Sequence, residues 1–173
     1  VDGVNDHATQ RPRQTNDPVW IAWMLKPIAA GWLGVLVDEG SVAFDDPVEK
    51  FLPEFHSQWA VQESTADRRV LVKAARPITL RDLLTHTSGL AEYPATQAHW
   101  TISEFAKVLA REPLRFQPGT RWAYSTDGID VLGRVVEVVS GPSFAAFLQQ
   151  RLLDPLGMTD TTFWLSPSQA NRF

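Results

Sequence analysis

Cysteine is absent from this chain. Its absence excludes disulfides, thiolate metal sites and a cysteine nucleophile, and leaves the redox compartment open. No apolar run reaches the roughly 18 residues that a membrane-spanning helix needs, so none is expected. The opening Val-Asp-Gly-Val-Asn-Asp-His has no apolar signal core, which leaves a removed signal or a start inside a larger protein. An excess of positive charge is missing too. Sixteen Lys and Arg against twenty Asp and Glu give a net charge of −4, which offers no reason to expect nucleic acid or an acidic membrane surface as partner. His7, His56 and His99 are scattered without metal-ligand spacing, and no metal or cofactor is expected. Alternating apolar–polar runs, the signature of a half-buried strand, are nearly lacking. What remains is an ordinary globular composition, 44% apolar and 21% charged over 173 residues. That length suffices for one domain with a real core, so residues 1–173 are expected to form a single domain. Seven tryptophans suggest a stiff apolar core or an aromatic-lined cleft.

Residues 1–18 are polar and rich in turn formers, and read as an extended or loop lead-in. Helical periodicity then dominates. A helix from about Trp23 to Glu39, ended by Gly40, carries Ile28, Trp32, Val35 and Leu36 on one side and Leu33 and Val37 on another, which predicts a central, largely buried helix. Pro27 is tolerable near its first turn. Asp45-Asp46-Pro47 reads as a cap before a short helix, Val48 to Leu52, and residues 53–77 read as mostly surface loop. Thr79-Leu-Arg-Asp82 and Thr101-Ile-Ser-Glu104 are capping-box patterns opening helices that run to Thr87 and to about Arg111. Trp122 to Ser125 is short and extended. Helices from about Asp127 to Ser140, stopped by Gly141, and from Ser143 to Leu153 complete a mainly α pattern with no convincing sheet.

Residues 21–27 read Ile-Ala-Trp-Met-Leu-Lys-Pro. This is the layout of a Ser-x-x-Lys nucleophile motif opening a helix, with Trp23 where the serine would stand and Lys26 three residues on. A serine there could attack an acyl carbon while Lys26 accepts its proton; an indole cannot supply that oxygen. Trp23 reads most plainly as core filler. A plug in a former acyl pocket and a replaced serine are the other readings.

Several further segments share one ordered pattern: Val37–Phe55, Ile78–Leu90 with Leu-Leu-Thr-His-Thr-Ser-Gly-Leu, Phe116–Gly133 with Pro-Gly-Thr-Arg-Trp-Ala-Tyr-Ser, and Val138–Met158. On these, and on residues 21–27, the chain resembles the serine β-lactamase-like and penicillin-binding-protein-like hydrolases, in the branch of the class C β-lactamases, related esterases and D-aminopeptidase-type enzymes. The resemblance implies the helical subdomain of an α+β fold, with most of the antiparallel sheet missing from this chain. It implies a catalytic set at the Trp23 position, Lys26 and Tyr124, with Ser125 and Thr126 beside the substrate. The third residue of the family's Tyr-x-Asn motif is Thr126 here, and the family's C-terminal Lys/His-x-Gly strand has no match.

Acyl transfer needs a nucleophilic oxygen, a base and oxyanion donors. In this family one donor amide comes from a sheet strand that has no match here. The expectation is therefore a serine β-lactamase or esterase relative that is catalytically impaired as written. Its substrate, if any, is a small-molecule β-lactam, an ester or a D-amino-acid peptide. Two alternatives stand beside it. One is an active hydrolase using Ser125. The other is a non-catalytic module whose uncovered helix faces pair with a second copy or a complementing chain. His86, inside Thr-His-Thr-Ser-Gly, reads as part of a structural helix end, because sequence adjacency to a serine does not create nucleophile–base geometry.

Overall fold

The computed structural model describes residues 3–8, 10–93 and 100–172. His99 and part of the lead-in lie outside the described residues. The lead-in is more ordered than a loop. Strands β1 (Val4–Asp6) and β2 (Arg11–Pro12) pair antiparallel. Arg11 ties this hairpin down at both ends of the chain, with an ion pair to Asp17 at 2.9 Å and a hydrogen bond to the Arg172 carbonyl at 2.8 Å.

A short 3-10 turn, Ala22–Met24, precedes helix α1, Leu25–Asp38. Helices α2 (Leu80–Leu84), α3 (Ile102–Leu109) and α4 (Asp127–Ser140) follow. Next comes α5 (Phe144–Leu148), which runs on as a π-helical turn over Gln149–Leu153. A final short helix, α6, spans Pro167–Ala170. Both anticipated capping boxes form. The Thr79 hydroxyl accepts from the Asp82 amide while the Asp82 carboxylate accepts from the Thr79 amide, and Thr101 and Glu104 do the same. Each box satisfies two amides that a helix start otherwise leaves open.

The central element is α4, not α1. Helix α4 packs against α1, α2, α3 and α5, and buries Ile129, Val131, Leu132, Val135 and Val136. Helix α1 buries Trp32, Leu33 and Leu36 against this core, with the Trp32 and Phe144 rings edge to face at 5.3 Å. Its opposite side, Pro27, Ala30, Gly31 and Asp38, is exposed. The apolar residues of α1 cover a wide arc in sequence, but among the described residues only one side meets a partner.

Residues 53–77 are not mostly loop, and a sheet is encoded there after all. Strands β3 (Trp59–Ser64) and β4 (Arg69–Lys73) form an antiparallel hairpin with a register shift between Val61 and Glu63. Arg69-Val-Leu-Val-Lys does alternate, with half-buried Val70 and Val72 between exposed neighbours. The run is short and the bulge breaks the period of β3, so the pattern falls below what alternation alone can signal. Residues 113–115 lie alongside β3, where the Val61 amide donates to the Leu114 carbonyl and the Leu114 amide to the Trp59 carbonyl. Among the described residues no single helix is long and apolar enough to cross a membrane.

Candidate active site

The loop from Thr85 to Gly89 and the segment from Arg115 to Ser125 run side by side. The Arg115 amide donates to the Gly89 carbonyl at 2.6 Å, the Gly119 amide to the Thr87 carbonyl at 2.8 Å, and the Ala123 amide to the His86 carbonyl at 2.9 Å. This zipper carries Tyr124 to the end of α1. There the Lys26 ammonium lies 4.8 Å from the centre of the Tyr124 ring. Two of the expected site residues, far apart in sequence, are therefore neighbours, and the contact is of cation–π type.

Trp23 stands on the 3-10 turn three residues before Lys26 and is 69% exposed. That excludes the core-filler reading. The turn precedes the helix, and its residues bury nothing. Ala22, the first residue of the turn, sits at φ 44°, a left-handed conformation that a non-glycine residue adopts rarely. Trp122, Tyr124, Trp20 and Met24 also expose large apolar surfaces.

Ser125 is buried, and its hydroxyl accepts the Gly128 amide at 3.1 Å, which is a cap on the first turn of α4. That bond engages the Ser125 hydroxyl with the backbone of α4. Thr126 occupies the N-cap position of α4 without a side-chain cap bond and is exposed, with its carbonyl accepting from the Ile129 and Asp130 amides.

His86 is the residue that spacing alone undervalues. It sits at φ 59°, and its Nδ1 accepts the Ser125 amide at 3.2 Å. Its ring lies 4.7 Å from the Tyr124 ring and 6.1 Å, edge on, from Trp122. The imidazole thus packs against the Tyr124 ring while its Nδ1 holds the adjacent backbone. Burial, then the nearby Lys26 charge, holds its pKa below the ordinary histidine value. A ring nitrogen accepting an amide hydrogen is unprotonated, so the geometry also favours the neutral form. Nothing in the sequence places a histidine at positive φ against a tyrosine 38 residues later.

Beneath this group, α4 carries two carboxyls in its first turns. Burial raises the Asp127 pKa even though the carboxylate accepts the Tyr93 amide at 2.7 Å. Burial pushes the Asp130 carboxyl up to about 6, with the Asp127 charge adding to the shift and Lys26 opposing it. An acid whose folded pKa lies above its unfolded value near 3.9 binds its proton more tightly in the folded state. Its contribution to stability is present below about pH 4 and is lost as pH rises through about 6. Asp130→Asn is therefore expected to be more stable than the parent by roughly 1–3 kcal/mol above pH 7, with the difference shrinking toward pH 4. Thermal melts of both proteins at pH 4.5 and 7.5 check this, and a parent melting point that does not fall relative to the variant between the two rejects it.

The whole chain, residues 1–173, matches the family model described as Beta-lactamase. This chain belongs to the β-lactamase family. Its sequence is 34% identical to lovastatin esterase of Penicillium rubens over 90% of this chain and 42% of that protein. It is 33% identical to the esterase EstB of Burkholderia gladioli over 93% of this chain and 42% of that protein. It is also 33% identical to the D-alanyl-D-alanine-carboxypeptidase/endopeptidase AmpH of Escherichia coli K12, over 92% of this chain and 40% of that protein. The unliganded crystal structure of simvastatin synthase from Aspergillus terreus superposes with a TM-score of 0.77 at 28% identity, over 97% of this chain and 46% of that one. These matches give the β-lactamase/transpeptidase-like fold. They also show that the chain spans less than half the length of these relatives.

Proposed function

We propose that this chain carries the mainly helical part of a serine acyl hydrolase that acts on ester, β-lactam or D-amino-acid peptide bonds, with most of the sheet encoded outside it. Lys26 and Tyr124 are its proton-handling groups, Trp23 fills the nucleophile position, and in this form the chain makes no acyl-enzyme. The observation that carries this reading is the approach of the Lys26 ammonium to within 4.8 Å of the Tyr124 ring, one helical turn after Trp23. A base and a phenol side by side at a helix start are what deprotonation of a serine and protonation of a leaving group require. The oxygen between them is what Trp23 removes. Loss of a catalytic serine lowers kcat on the order of 10⁶-fold in a serine hydrolase.

The test is intact-mass spectrometry after incubation with a penicillin and with a p-nitrophenyl ester. No covalent adduct is expected, and ester turnover is expected at background. An adduct on any residue sinks the reading. An adduct on Ser125 in particular would establish the second nucleophile, against the enclosed position of its hydroxyl.

A second reading is favoured by one observation. Trp20, Trp23 and Met24 are strongly exposed next to the uncovered side of α1. An apolar surface of this kind suits a non-catalytic module that pairs with a second copy or with a chain supplying the sheet. Light scattering separates the two, since a monomer at all concentrations removes the self-pairing form of this reading.

A further inference from the structure

A cavity lies on the hairpin side of the molecule. After pairing with β3 at Leu114, the chain turns away, because the Arg115 amide is bonded to Gly89 and the Gly119 amide to Thr87. The divergence leaves an open cleft of about 440 Å³ between the β3–β4 hairpin and residues 115–121. Its volume falls in the range of small-molecule sites. Val61, Val72 and Phe116 supply apolar lining, and Gln62, Ser64 and Thr120 supply polar groups. The charged lining residues are Arg115 and Arg121, with no carboxylate among them. In a chain of net charge −4, a cleft with two guanidinium groups and no acid is a local reversal of sign.

The bonding around the cleft separates structural from uncommitted groups. Gln117 is engaged at both ends of its amide, accepting the Ala75 amide at 2.7 Å and donating to the Lys73 carbonyl at 3.2 Å, and so fixes the cleft's width. The Thr120 hydroxyl donates to the Gln117 carbonyl. Arg115 has Glu92 at 3.7 Å, a loose ion pair. Arg121, Gln62 and Ser64 have no side-chain hydrogen bond or ion pair among the described residues. Gln62 is the residue at the register shift of β3. The cleft therefore combines a fixed frame, an apolar floor, one free guanidinium and one loosely paired, and two free polar side chains.

We propose that this cleft binds a small organic carboxylate, whose anionic end lies between Arg121 and Arg115 and whose apolar body rests on Val61, Val72 and Phe116. Arginine suits this role because its planar fork matches both carboxylate oxygens. The floor selects an aryl or short-chain acid over an inorganic anion. The inference stands apart from the chemistry at Lys26 and Tyr124, because no lining residue belongs to that group.

Benzoate is the probe, with benzamide as its neutral isostere, titrated into the full chain and followed by backbone amide NMR shifts. Saturable shifts at Val61–Ser64 and Phe116–Arg121 are expected, with a Kd on the order of 1 mM for a ligand of this size. Benzamide is expected to bind at least tenfold more weakly. Arg121→Gln is expected to weaken benzoate at least tenfold, and Arg68→Gln, on the outer turn of the hairpin, to leave it unchanged. Lys26→Ala is expected to leave it unchanged as well. The proposal is overturned by absence of saturable shifts up to about 10 mM, by equal affinity for benzamide, by an Arg121→Gln variant that binds as the parent does, or by loss of binding in Lys26→Ala.

Discussion

Gly89→Ala is expected to destabilise the protein by about 3–5 kcal/mol and to lower its melting temperature by about 10–15 °C. Two causes add. Gly89 sits at φ 77°, a conformation that alanine adopts only at a penalty. A Cβ built there would lie 2.4 Å from the Phe116 carbonyl oxygen, a backbone atom that cannot rotate aside. The zipper between residues 86–89 and 115–123 would have to open, and the bond from the Arg115 amide to the Gly89 carbonyl would go with it. Because that zipper delivers Tyr124 to Lys26, the damage reaches the candidate site, and the fluorescence of the neighbouring Trp122 should change with it. Gly119 makes a useful contrast. Its Cβ would meet the Arg76 Nη2 at 2.5 Å, the end of a side chain rather than backbone. A melting point for Gly89→Ala within a few degrees of the parent would show that the two segments are not locked together at this carbonyl.

The second large effect concerns Asp82, which is 4% exposed and serves five donors. Its carboxylate takes both Arg76 guanidinium nitrogens, at 2.5 and 2.9 Å, together with the Thr79 amide and the Thr79 and Thr87 hydroxyls. Asp82→Ala removes a capping box and takes the carboxylate partner from Arg76, whose side chain is 43% exposed. Breaking a buried pair in this way costs 3–5 kcal/mol when both charges are enclosed; with Arg76 partly in solvent, about 2–4 kcal/mol is expected. The pH dependence gives a second check. Burial alone pushes the Asp82 pKa up, but the hydrogen bonds from Arg76 and Thr79 overcome it and hold the carboxyl below the usual range. For an acid with a depressed folded pKa, the stabilisation is present above about pH 4 and is lost as pH falls through the folded value. The variant should therefore lose less stability than the parent on acidification below pH 4. Chemical denaturation at pH 7 and pH 3 measures both quantities, and an undiminished gap between the two proteins at pH 3 contradicts the assignment. Asp130 and Asp82 thus act in opposite directions on the acid side of neutrality, one gaining and the other losing as pH falls.

The sequence was most legible where structure is local. The two capping boxes name their own partners three residues on, and α4 spans Asp127–Ser140 as the pattern of Ile129, Leu132, Val135, Val136 and Val139 predicts, with Gly141 at φ 94° beyond its end. The family resemblance implies that Lys26 and Tyr124 share a site, and the two are neighbours. What escaped the sequence depends on distant neighbours. The β3–β4 hairpin alternates over only five residues in β4 and is interrupted by a bulge in β3. The role of His86 rests on an amide 39 residues away and on a backbone angle that no spacing encodes. The exposure of Trp23 follows from the 3-10 turn that precedes α1, whereas the apolar pattern of the helix continues smoothly through it.

Helix α1 has its own thermodynamic consequence. Gly31 and Gly34 lie on the side away from Trp32, Leu33 and Leu36, and a methyl group added to either would touch nothing within 4 Å. Each glycine in a helix interior costs about 1 kcal/mol relative to alanine. A helix of 14 residues is already near the length at which isolated helices fail in water. The backbone of α1 is thus helical by imposition: three side chains locked into the core on one flank hold a segment whose own preference is for coil, and Lys26 owes its position to them.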